Sequence, residues 1–493
     1  MPPWAEVTPG WGSIVQTAIP LIALALVAAA GRGAPRVLLL IQSAYWTISF
    51  IARPVLLLVA TPTPSFGDNI ADTRLFHAGY DRGIAQVLPP VTSGLWIYVA
   101  CVAAFVLFQR LQPPDRRPDA DLPKQSAAVI ATFVVLWCVG LAARGFAYLT
   151  GTVSRAGEVA AANPYLSIFT GMGAIGAAAL ILYLRLDSPR WNAVAIAVLV
   201  GGEFAWGVVQ SSKTPFMGAL MAVTVRLLLT GFTKMRAVLL AVGGIGAVGV
   251  FGALQGLKVG ATTAHLTSGI DAPYPPAWGP LLPLIRRFDL FEAATDNTFY
   301  RGPGYLDISD VLLRMPLNLI PAQLGVDKKL AGPDWAERVR ASSVDMSGVQ
   351  VSLAEGHINE GIRIGGTSGV LVESILVLLA VCAVSRCLRG RSVPVLTMGV
   401  VFVALPALFE RGALGISEVA GKGLQQCVLA TAVFAVVWFI RILGAQDRQR
   451  ARGAHAEASG GEAGMRSECG SPPSNPGPGV AAPVLAAVPK GIP

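Results

Sequence analysis

Along this chain, long apolar runs alternate with short polar breaks, and one long polar interval interrupts the series. The runs fall near residues 13–30, 37–60, 91–109, 127–149, 164–184, 193–210, 214–231, 237–256, 365–386, 393–410 and 421–443. A run of about 20 residues wound as a helix matches the hydrocarbon thickness of a bilayer. Lipid admits only helices or closed barrels, and these runs are too long for barrel strands. The pattern therefore predicts an all-α polytopic membrane protein with about eleven transmembrane helices. It divides the chain into N-terminal helices over 1–257, one large outer loop over 258–363, C-terminal helices over 364–443 and a tail over 444–493. The tail is rich in Ala, Gly, Pro, Ser and charge, a composition that buries no core and predicts disorder.

Composition sharpens this picture, because hydrophobic residues make up 53%, charged ones 14%, and the mean hydropathy is +0.59. Against that background the charges of the interval from about Lys258 to Arg363 stand out, and chemistry is expected there. Basic residues set the orientation. Arg32 and Arg36, then Arg110, Arg116, Arg117 and Lys124, then Arg185 and Arg190, then Lys234 and Arg236, then Arg389 and Arg391 occupy alternate connections. Those connections are predicted to be cytoplasmic, which puts 61–90, 150–163 and 258–363 outside, the N-terminus outside and the C-terminus inside a cytoplasmic membrane. The stretch Met1–Trp11 lacks a basic segment, so the first run is expected to act as a signal anchor. The net charge of +9 then reflects the cytoplasmic bias and contact with anionic membrane lipids, and no nucleic-acid partner is expected. Cys101, Cys138, Cys382, Cys387 and Cys427 lie in or beside apolar runs and Cys469 in the tail, a distribution that gives neither a disulfide framework nor a metal site. No glycine-rich phosphate loop is visible, so no cofactor is expected.

Four pieces carry candidate chemistry. In Leu284-Ile285-Arg286-Arg287-Phe288-Asp289-Leu290-Phe291-Glu292, helical spacing puts Leu284, Phe288 and Phe291 on one side. The paired Arg286 and Arg287 suit an anion at the membrane surface, and equally suit snorkelling to the headgroups. Leu317 through Val326 reads as an apolar segment stopped by Pro321, followed by the charged turn Asp327-Lys328-Lys329-Leu330-Ala331-Gly332-Pro333. Ser352 through Gly361 places Glu355, His357 and Glu360 close to Arg363, just ahead of Gly365, Gly366 and Gly369 and the next run. Lys213 sits in the tight turn Ser211-Ser212-Lys213-Thr214-Pro215 on the outer side, where a bound anion could offset the cost of a charge that snorkelling explains as well.

In order and layout these pieces resemble the Wzy-type polysaccharide (O-antigen) repeat-unit polymerases, within the wider group that includes the O-antigen ligases. The resemblance covers about Lys213 to the run starting near Gly365. It rests on the Ser-Lys turn, the Arg-Phe-Asp segment, the Ile320-Pro321 stop with its Lys-Lys-x-x-Gly-Pro turn, and the Glu-Gly-x-x-Asn-x-Gly run. Two features depart from the group: Ala322-Gln323-Leu324-Gly325 stands where an aromatic, proline-rich turn is expected, and His357 is followed by Ile358 rather than a polar residue. The second departure favours the polymerase over the ligase.

The resemblance implies transfer of a glycan from a polyprenyl-pyrophosphate-linked oligosaccharide to a second carrier-linked glycan on the outer face of the membrane, alongside a flippase and a chain-length regulator. A leaving pyrophosphate needs fixed cations and an attacking hydroxyl needs a base. Lys213, Arg286, Arg287, Arg363 and Arg411 are the candidates for the first role, Glu355 and His357 for the second, and no metal is implied. A ligase-like transferase, a polysaccharide transporter or flippase, and a non-catalytic scaffold remain the competing readings.

Overall fold

The computed structural model describes residues 8–463 apart from 66–67, 113–121, 154–163, 211, 213, 231–242, 244–245, 247–272, 287, 301, 303, 322–323, 325, 327–329, 341–354 and 406. Among the described residues all regular structure is helical. Eight helices are long and apolar enough to cross a membrane, as a multi-pass membrane protein requires. They are α1 (Pro9–Ala29), the continuous segment Gly33–Ala60, α5 (Tyr80–Leu111), α6 (Ala127–Leu149), α7 (Pro164–Tyr183), α8 (Pro189–Val209), α14 (His357–Leu388) and α17 (Ala413–Ala463), the last two apolar enough over His357–Leu388 and Ala413–Gln446. Two shorter apolar helices, α9 (Thr214–Leu229) and α15 (Val393–Ala404), accompany them. The apolar run at 237–256 lies outside the described residues.

Local chemistry fixes many helix ends. The Ser126 hydroxyl accepts from the amide of Val129 at the start of α6, and proline occupies the first turns of α8 and α15. Several boundaries differ from the hydropathy pattern. Helix α5 begins at Tyr80 and carries Pro89 and Pro90 within it, so residues 80–90 are helix rather than loop. The run at 393–410 splits into α15 and the short α16 (Ala407–Glu410), with Leu405 extended between them. Helix α17 continues to Ala463, past Gly444 where composition predicts the tail to begin; residues from Trp438 onward form a unit of their own.

The segment Gly33–Ala60 is α2 (Gly33–Thr47), a π-helical stretch Ile48–Ala52 and α3 (Arg53–Ala60). In the bundle α1 packs on α2 and α5, α6 on α7, α7 on α9, and α14 on α5 and α15. One fully buried ion pair lies within this packing: Arg144 of α6 donates to both carboxylate oxygens of Glu203 of α8, at 2.7 and 2.9 Å.

Beyond the bundle, the described residues of the polar interval include several short helices. A 3-10 turn (Pro276–Leu281) leads into α10 (Leu282–Ile285), α11 (Leu290–Thr298), α12 (Ile308–Leu319) and α13 (Ala331–Arg338), with α4 (Thr73–Ala78) contributed by an earlier connection. The single helix that spacing suggests over 284–292 is interrupted: α10 ends at Ile285, and α11 starts after Asp289, whose backbone leaves the helical conformation. Phe288 and Phe291 are buried nonetheless. Helix α12 stops where the proline predicts, since Ile320 before Pro321 is extended. Asn318 donates to Ser417 at 2.9 Å and the Ala331 amide to Glu418, which docks α12 and α13 on the start of α17.

Helix α14 is broken at Gly365 and Gly366. Gly366 has φ +57°, a conformation open to glycine. The break folds the first turns, 357–364, against the rest of the helix, and a Cβ on Gly361 would lie 2.6 Å from the Cα of Val370. Gly361 and Gly369 therefore let two backbones touch, which explains the glycines the sequence clusters here.

Candidate functional site

The break in α14 holds three carboxyl side chains at the start of α17. Glu355, Glu360 and Glu373 are all fully buried. Glu373 accepts from the amide of Ala413 at 2.8 Å, the first residue of α17, and Glu360 accepts from the Tyr305 hydroxyl at 3.4 Å. Gly412 lies so close to Glu360 that a Cβ there would collide with the carboxylate, and a Cβ on Gly415 would lie 2.8 Å from Glu355 Oε1. These glycines make room for the acid groups, and an amide at the start of α17 donates to one of them. An ordinary role is capping of α17, and Glu373 performs it.

Glu355 is different. No side chain donates a hydrogen bond to its carboxylate among the described residues; its own amide and that of Gly412 face it, and Arg411 Nη1 stands 3.6 Å from Oε2. Burial pushes the Glu355 carboxyl up to about 7, against the pull of the Arg411 guanidinium. A buried carboxyl raised toward neutral pH and next to a cation has the properties of a general base.

His357 lies two residues further on, enclosed by the rings of Tyr98 and Trp46 at centroid distances of 4.7 and 5.0 Å. Tyr98 donates to Gln42, Gln42 to the Leu408 carbonyl and Trp46 to the Phe409 carbonyl, so the imidazole is part of the packing that holds α16 beside Glu355. The imidazole is fully buried, and its Nε2 has no hydrogen-bond partner among the described residues. Asn359 donates to the Leu290 carbonyl and Asn297 to the Asn359 carbonyl, tying α11 to the first turn of α14.

Of the cationic candidates, the structure brings Arg411 to Glu355, and Arg363 stacks its guanidinium 4.0 Å from the Tyr300 ring centroid. Arg286 is held elsewhere: its Nη2 is 3.6 Å from Asp68, whose other oxygen accepts from Tyr274 at 2.5 Å. Lys213 and Arg287 lie outside the described residues. The chain matches no family model, no curated protein and no solved structure.

Several charged groups here carried no signal in the reading of the sequence. Asp296 of α11 is fully buried and accepts from Arg74 of α4 at 2.7 Å, from Trp335 of α13 at 3.1 Å and from Arg340 at 2.9 Å. Burial opposes charge on Arg74, yet Asp72 and Asp296 hold its guanidinium firmly protonated. A lone carboxylate in an amphipathic stretch gives no hint that three elements converge on it. Glu373 and Arg53 could have been found, since each is a single charge inside an apolar run.

Beside the α14 break, a shallow, open groove of about 820 Å³ lies between Ile97, Ala100, Cys101 and Ala104 of α5 and Gly365, Thr367, Ser368 and Leu371 of α14. Its lining is mostly apolar.

Proposed function

We infer that this protein polymerises or transfers glycans carried on a polyprenyl pyrophosphate, at the outer face of a cytoplasmic membrane, with residues 258–363 and the N-terminus outside and the C-terminus inside. The observation that carries the reading is Glu355: a buried carboxyl poised near neutral pH, beside Arg411, where the outer helices meet a broken membrane helix. In the proposed step the acceptor hydroxyl oxygen bonds to the anomeric carbon as its proton passes to Glu355. The bond from that carbon to the pyrophosphate oxygen breaks, and the electron pair leaves with the polyprenyl pyrophosphate. Arg411, 3.6 Å from Glu355, is the proposed cation for the charge that develops, with Arg363 a second candidate. The apolar groove supports a substrate with a hydrocarbon tail.

A second reading, a polysaccharide transporter, gains from the same break in α14 and from Glu373 and the Arg144–Glu203 pair inside the bundle, since transporters place broken helices and buried charges at their binding sites. Removing the protein from its host separates the two. A polymerase predicts single repeat units accumulating on the carrier and exposed outside; accumulation on the cytoplasmic side only would support the transporter.

A further inference from the structure

Arg53 is the first residue after the π-helical stretch Ile48–Ala52, inside a membrane segment, and only 2% of it is exposed. Insertions of this kind in α-helices re-aim side chains and recur at functional sites. Its Nη2 donates to the carbonyls of Asn69 and Ile70 and so pins the 68–70 segment to the bundle. Nε and Nη1, also buried, have no partner among the described residues, and neither has the hydroxyl of Ser49, four residues earlier in the π-helical stretch and fully buried. A structural pin uses one nitrogen and accounts for none of these.

The carboxylates nearby do not supply the missing partners. Glu292 stands 3.6 Å from Arg53 Nη2, and its other oxygen is 3.0 Å from Arg340. Asp296 is taken up by Arg74, Arg340 and Trp335, Asp68 by Tyr274 and the Ile70 amide with Arg286 at 3.6 Å, and Asp72, whose charge Arg53 also feels, by the amide and guanidinium of Arg74. Arg53, Arg74, Arg286 and Arg340 thus converge from four parts of the chain on residues 68–72 and one face of α11, with Arg53 the most buried and the least satisfied. Leu290, two residues before Glu292, meets Gly356: a Cβ on Gly356 would lie 2.7 Å from its side chain. The cluster and Glu355 therefore flank the same turn of α11.

We propose that Arg53, with Ser49, binds a phosphoryl anion through its two unused guanidinium nitrogens, on the side of α11 opposite Glu355. Guanidinium geometry matches phosphate oxygens in pairs, which an ammonium cannot reproduce. The inference rests on the function proposed above for its preferred source, the pyrophosphate of the second, acceptor-bearing lipid carrier rather than the one that leaves beside Glu355; a phospholipid headgroup offers the same chemistry.

The test measures binding, not turnover, on the full-length protein in phosphatidylcholine nanodiscs. Farnesyl pyrophosphate and inorganic pyrophosphate are titrated in one arm, and phosphatidylglycerol replaces part of the lipid in the other. Arg53→Lys, which keeps one charge and loses the paired geometry, is expected to weaken binding roughly tenfold or more, and Ser49→Ala by a smaller factor. Loss confined to the pyrophosphates identifies the carrier as the source, and loss confined to phosphatidylglycerol identifies the headgroup. Wild-type affinity of Ser49→Ala and of folded Arg53→Lys for all three ligands overturns the proposal; if Arg53→Lys does not fold, unchanged affinity in Ser49→Ala overturns it alone. Because no polymer is measured, anion binding here stands or falls separately from the polymerase reading.

Discussion

Replacing Glu355 with Gln is expected to reduce glycan transfer by roughly a hundredfold or more while leaving the protein inserted and folded, because the amide keeps the shape of the side chain and cannot accept the proton. The wild-type rate should also depend on pH in a defined direction. The carboxyl is raised from its ordinary value to about 7, so it is protonated and inert as a base below that point and ionised above it. Transfer should rise as pH increases through about 7 and level off above it, and the Gln variant should lose that limb. Rates per unit of inserted protein from pH 5.5 to 8.5 provide the check; a Gln variant with the wild-type rate and profile removes Glu355 from the mechanism.

The largest effect on stability should come from Glu203→Gln. Arg144 and Glu203 are 4% and 1% exposed, and Arg144 is further enclosed by the Thr170 carbonyl at 3.3 Å and the Trp206 ring, 5.3 Å from its guanidinium carbon. Removing one charge strands the other where water cannot reach it, at a cost of about 3–5 kcal/mol. Removing both, in Arg144→Gln with Glu203→Gln, leaves no stranded charge and should recover much of the loss. Unfolding of the three variants in one detergent compares them directly. A double variant no more stable than Glu203→Gln would mean that packing, and not the unpaired charge, sets the cost.

The membrane helices were legible because each needs about 20 apolar residues, and hydropathy records that requirement directly. Their ends were less so. Helix α5 extends to Tyr80 through polar turns, and α14 starts at His357, eight residues before its apolar run. Hydropathy marks where lipid begins, not where hydrogen bonding begins. Glu355 and Arg363 stand close in sequence, which makes both visible as candidates. Arg411 lies 56 positions from Glu355, and only the docking of α16 and α17 against α14 makes them neighbours. His357 shows the opposite limit: Glu355 and Asn359 flank it two positions away in sequence, yet its spatial neighbours are Tyr98 and Trp46 from helices near the N-terminus. Periodicity assigns faces within one element and is silent on which elements meet.

The proposed activity, joining carrier-linked glycans, needs no other energy source. The direct measurement is reconstitution of the purified protein with a polyprenyl-pyrophosphate-linked oligosaccharide, in nanodiscs where no ion gradient can exist and with no nucleotide sugar added. The account predicts a ladder of products longer by whole repeat units, released polyprenyl pyrophosphate in matching amount, and neither in the Glu355→Gln variant. Substrate recovered unextended, by protein that nevertheless moves it across the bilayer of sealed vesicles, would contradict it.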